Sequence, residues 1–100
     1  MIKVDLTAPA MTMSGDPDKK RKHIGEVLGE FLGFNSSKGM GYKVHDWAIS
    51  LWKTGKLEVD EEDFKWIRGK VFDSDMISLY SGQILKILDK AKEKSEQKKS

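Results

Sequence analysis

The segment from Ser50 to Phe64, SLWKTGKLEVDEEDF, constrains the fold most, because the apolar period changes twice around it. Before it, Val44, Trp47, Ala48 and Leu51 recur at helical spacing and mark one inward face over about Tyr42 to Lys53. After Gly55, Leu57 and Val59 alternate with Lys56 and Glu58, the period of a short strand with one buried face. After Asp60, Phe64, Ile67 and Val71 return to helical spacing. Gly55 can take the positive φ that ends the first helix. Asp60 offers an N-cap with Asp63 three residues later, and Glu61 and Glu62 suit the positive end of the helix dipole. The segment therefore reads as helix, turn, strand and helix.

The same residues can be tested as a calcium loop. With Gly55 at loop position six, Leu57 falls at eight and Glu61 at twelve, as an EF-hand requires. Positions one, three and five then hold Ser50, Trp52 and Thr54. Tryptophan offers no oxygen, and hydroxyls are weak ligands for a hard cation, so no metal is expected there.

A strand over Lys56 to Val59 needs a partner for its backbone groups. Ile2, Val4 and Leu6 alternate with Lys3 and Asp5, so the N-terminus is the natural one. Asp16-Pro17 reads as a helix start, Asp as cap and Pro at the first helical position. Ile24, Val27, Leu28, Phe31 and Leu32 make its stripe, and the helix should end near Gly33. Gly25 and Gly29 weaken that helix by about 1 kcal/mol each, and the basic run in its first turn opposes the dipole. Packing must hold it. NSSKGMG (Asn35 to Gly41) reads as a flexible loop. Asp73 or Ser74 offers the cap of a fourth helix, whose stripe is Ile77, Tyr80, Ile84, Ile87, Leu88 and Ala91. Beyond about Lys92 the chain is polar and is expected to fray.

These elements make an α+β chain, mostly α. About four helices pack as a small bundle with a minimal two-stranded ribbon near residues 2–6 and 56–59. One domain spans residues 1–92, with a flexible basic tail over 93–100. The apolar fraction of 38% against 34% charged residues belongs to a folded chain. The absence of cysteine excludes disulfides and thiolate metal sites. No apolar run nears the roughly 18 residues needed to span a bilayer, and MIKVDLTAPAM lacks the blocks of a signal peptide. The expected location is cytoplasmic.

No nucleophile elbow, zincin helix or Walker motif occurs. GFNSSKG lacks the second glycine before its lysine and follows no clear strand. His23 and His45 sit on different helices, which favours structural or solvated roles. Asp60 and Asp63 suit capping better than acid–base work. No catalytic residue, cofactor or metal ligand is therefore assigned, and the chain reads as not an enzyme. A net charge of +2 is too small to imply nucleic acid by itself. The cluster Lys19, Lys20, Arg21 and Lys22, with the basic tail, supports an alternative reading as a weak nucleic-acid-binding module. It lacks interleaved aromatics, and about six residues of extended chain are too many for a helix-turn-helix turn. Trp47 belongs to the core. Trp52 and Trp66 lie off the main stripes. They either seal the core edge or mark a surface for a protein partner or self-association, with the loop at Asn35 to Gly41 nearby.

One pattern spans Tyr42 to Leu88: Lys43, Trp47, Ala48 and Leu51, then Gly55, Leu57, Glu58, Val59, Glu62 and Asp63, then Ile67 and Val71, closing on Gly82, Gln83, Ile84, Leu85 and Leu88. In these positions the chain resembles small proteins of tailed bacteriophages and prophages. The resemblance implies a non-enzymatic accessory or assembly protein of phage type, acting by protein–protein interaction in the host cytoplasm. The glycine-rich loop and the N-terminal third depart from the pattern, whose residues speak to packing more than to chemistry.

Overall fold

The computed structural model describes residues 1–34, 39–76 and 78–97. Among them lie β1 (Ile2–Asp5), α1 (Ile24–Gly33), α2 (Lys43–Thr54), β2 (Lys56–Val59), α3 (Glu61–Phe72) and α4 (Ser78–Gln97). The chain is α+β and mostly helical, with one antiparallel two-stranded ribbon.

Strands β1 and β2 pair with Ile2 opposite Val59 and Val4 opposite Leu57. All four side chains are buried. On the outer face Lys3 opposes Glu58 and Asp5 opposes Lys56, so each cross-strand pair joins opposite charges. A lone ribbon is marginal in water. This one is held because its apolar face closes the helical core and β1 lies against α4. Leu6, Ile24, Leu28, Leu51, Phe64, Ile67, Ile84 and Leu88 fill the centre.

The turn between α2 and β2 has the geometry its sequence calls for. Gly55 ends α2 in the left-handed region at φ 72°, and its N–H donates to the Leu51 carbonyl. The Asp60 side chain accepts from the Asp63 N–H at 2.8 Å and caps α3. Asp63 does not return the bond; its carboxylate faces Lys43 at 3.4 Å.

Helix α1 begins at Ile24, not at Asp16-Pro17. Residues around Asp16 form a tight turn instead. The Thr12 N–H donates to the Asp16 carbonyl, Gly15 takes φ 87°, and Met11 bridges to Pro17. The basic run thus precedes the helix, so four cations never enter its first turn. His23 is the cap: its Nδ1 accepts from the Glu26 N–H at 3.0 Å. Glu26 reaches back and accepts from the Lys22 N–H at 3.1 Å, much as a capping box does. The end of α1 at Gly33 falls where the spacing puts it.

Two further boundaries differ. Asp73 closes α3, donating its N–H to the Gly69 and Val71 carbonyls, and Ser74 bonds Val71 and Met76. Neither residue caps α4, which starts at Ser78. Ile77 lies outside the described residues, as do residues 35–38 of the expected loop. Helix α4 runs to Gln97, past the expected fraying point at Lys92. Ala91 is still buried, Lys92 reaches Glu61 at 3.6 Å, and Lys, Glu and Gln are good helix formers. Of the expected tail, residues 98–100 lie outside the described residues.

Candidate functional site: an apolar groove between the first two helices

Helices α1 and α2 pack as an antiparallel pair at a spacing that glycine permits. A Cβ on Gly29 would lie 2.7 Å from the Ala48 carbonyl oxygen and 2.9 Å from the Trp52 nitrogen. With no side chain between them the backbones nearly touch. The flanking side chains then stand up on either side: Glu30 and Phe34 from α1, Ile49, Trp52 and Lys53 from α2. They border a shallow, open groove of ≈ 460 Å³ floored by Gly29, Gly33 and Ala48.

The groove is apolar and open to solvent. Phe34 is 88% exposed, and Ile49 and Trp52 are each 42% exposed. The hollows beside the ribbon have a different character, being lined by Lys3, Asp5, Lys56 and Glu58.

Trp52 and Trp66 line separate hollows. Trp52 belongs to the groove, with the Lys22 ammonium 4.6 Å from its ring centre. Trp66 packs on Trp47 with ring centres 6.1 Å apart and tilted by 53°, and Lys70 covers it at 5.3 Å. Trp66 therefore extends the core, while Trp52 faces outward. Phe34 and Ile49 complete the surface, and sequence reading did not single out Phe34. The available signal was Gly25, Gly29 and Gly33 at four-residue spacing, which marks the α1 face that approaches a neighbour.

The basic cluster is partly engaged within the chain. Arg21 donates to Glu30 at 2.5 Å and lies 3.5 Å from Glu26. The Glu30 hydrogen bond, more than any other neighbour, raises the pKa of the guanidinium. Lys22 sits on Trp52. Lys19 and Lys20 are exposed. Asp18 accepts from the Lys20 N–H at 2.9 Å and from the Tyr80 hydroxyl at 3.0 Å, and these bonds lower its pKa.

His45 is solvent-exposed, with Nδ1 3.3 Å from Asp46 Oδ1. His23 is buried, its Nδ1 used by the cap and its Nε2 without a hydrogen-bond partner. Among the described residues no group of three or more His, Cys, Asp or Glu is placed to hold a metal ion. No helix among them is long and apolar enough to cross a membrane. Comparison with known proteins finds no matching family model, no matching curated protein and no matching solved structure.

Proposed function

We propose that this chain is a non-enzymatic interaction protein, an accessory or assembly factor of phage or prophage type working in the host cytoplasm. It binds a protein partner through the groove between α1 and α2. The observation that carries the reading is the grouping of Phe34, Ile49 and Trp52, three exposed large apolar side chains, around one groove. Apolar surface gathered in one place is characteristic of interaction sites, whereas scattered exposed residues are ordinary. Tryptophan is also among the residues most enriched at binding hot spots.

The alternative as a nucleic-acid module draws less support, because Arg21 and Lys22 are occupied by Glu26, Glu30 and Trp52.

The test compares wild type with Ile49→Lys as immobilised baits in an extract of the native source. Ile49 lies outside the core and is 42% exposed, so the variant should fold. A discrete protein retained by wild type and lost by the variant supports the reading. Identical capture by the two baits overturns it. Flanking capsid or tail genes would support the phage assignment, and regulatory genes would oppose it.

A further inference from the structure

The outer stripe of α2 carries opposite charges at its two ends. Asp46, Ile49, Trp52 and Lys53 fall at spacings of three, three and one, which places Asp46, Ile49 and Lys53 along one face. Asp46 and Lys53 are two helical turns apart, about 10.5 Å along the axis. The Asp46 side chain is 76% exposed, and its ion pair among the described residues is with the exposed His45 ring. Lys53 is exposed and has no ion-pair partner among the described residues. Between these ends lie Ile49 and the groove.

Building on the groove reading above, we infer that the partner is a second copy of this chain, seated with its α2 antiparallel across the first. A two-fold axis between Ile49 and Ser50 brings Asp46 of each copy opposite Lys53 of the other. The same rotation lays the Trp52 end of one groove on the Phe34 end of the other, and the two Ile49 side chains meet near the axis. A two-fold interface must be complementary to itself. An apolar centre flanked by one acid and one base at equal distances satisfies that condition. A membrane surface or a nucleic acid would instead call for a face of one sign. The face is small, so association is reversible and falls in the weaker class of interfaces.

The charges permit a test in which recovery on mixing itself shows that both variants are folded. In Asp46→Lys both stripe ends become basic, and in Lys53→Asp both become acidic. Each variant alone then places like charges opposite each other. Mixed together, every pairing joins opposite charges again. Sedimentation equilibrium of the full chain at up to about 1 mM, where even a weak pair populates, should show a wild-type dimer. Each variant alone should associate about tenfold more weakly or worse. The equimolar mixture should recover the wild-type constant. A wild-type monomer throughout the range overturns the inference, as does a mixture no stronger than its components or a dimer indifferent to either reversal. A chain that stays monomeric while its wild-type bait still captures a different protein, lost in Ile49→Lys, would end this inference and leave the groove reading standing, so the two failures are separate results.

Discussion

The backbones of Gly25 and Gly55 meet so closely that a Cβ built on Gly25 would lie 2.7 Å from the Gly55 Cα. Leu6 fills the corner beside them. Its N–H donates to the Gly55 carbonyl at 2.7 Å and its carbonyl accepts from the Gly25 N–H at 2.9 Å. The first turn of α1, the end of α2 and the end of β1 thus join at one point through backbone alone. Gly25→Ala should destabilise by about 1–3 kcal/mol through overpacking, despite the helix propensity that alanine adds. Gly82→Ala in α4, where an added Cβ meets nothing within 4 Å, should stabilise by about 0.5–1 kcal/mol. Urea unfolding of the pair checks the sign reversal; equal shifts would show that the glycine contact is unimportant.

Gly55 carries a second constraint, its φ of 72°. Gly55→Ala should cost about 1–3 kcal/mol from the left-handed backbone alone. Crowding adds to this, because the new Cβ would lie 3.1 Å from both the Leu6 carbonyl oxygen and His23 Nδ1. The expected loss exceeds that of Gly15→Ala, which has φ 87° but open space around it. Comparable melting temperatures for the two variants would contradict this.

The caps of α1 and α3 should respond differently to truncation. Asp60→Ala removes a solvent-exposed cap and should cost about 1 kcal/mol. His23→Ala removes a cap and also a buried ring that packs on Gly25 and Gly55, so its loss should be larger by a cavity contribution. His23→Asn keeps an acceptor for the Glu26 N–H and should recover part of that difference. Thermal unfolding of the three variants decides the order.

The arm between β1 and α1 is tied to α4 at two points. The Met11 N–H donates to Gln83 Oε1 at 2.9 Å, and Gln83 Nε2 donates to the Met11 carbonyl at 3.1 Å. Gln83→Ala frees both backbone groups and should cost about 1 kcal/mol. Amide exchange should quicken at Met11, Thr12 and Asp18 while the α1–α2 pair stays protected. Uniform loss of protection would show that the arm is part of the global unit.

The second tie, Tyr80 to Asp18, is pH-sensitive at both ends. Asp18 is held below its ordinary value chiefly by the Lys20 N–H and then by the Tyr80 hydroxyl. Its contribution is present above the unfolded carboxylate pKa and is lost as pH falls through the lower folded value. Tyr80 is raised chiefly by its hydrogen bond to Asp18. Its contribution is present below the unfolded tyrosine pKa and is lost as pH rises through the higher folded value. The arm should therefore be best anchored between about pH 4 and pH 10. Asp18→Asn should move the Tyr80 titration, followed by ring NMR signals, downward; an unchanged midpoint would disprove the coupling.

Much of this architecture was legible from local pattern. The alternation in β1 and β2, the stripe of α2, Gly55 and the Asp60 cap depend on residues no more than a few positions apart. The helix start at Asp16-Pro17 was a local signal that lost to a longer-range one. The turn at Thr12 to Pro17 is anchored through Met11 to Gln83, and His23 caps α1 because two glycine backbones leave room for its ring. Trp52 and Trp66 looked equivalent by spacing, and only Trp47 beneath Trp66 separates them.

By itself, then, the sequence determined the elements, the ribbon partners and the turn at Gly55, because periodicity and capping act within a turn or two of chain. Tertiary structure decided where α1 begins, which tryptophan faces solvent and where a groove opens. The first and the last depend on how closely two helix backbones approach, at glycines whose partners lie far away in the chain; the second depends on Trp47 of α2 lying beneath Trp66 of α3.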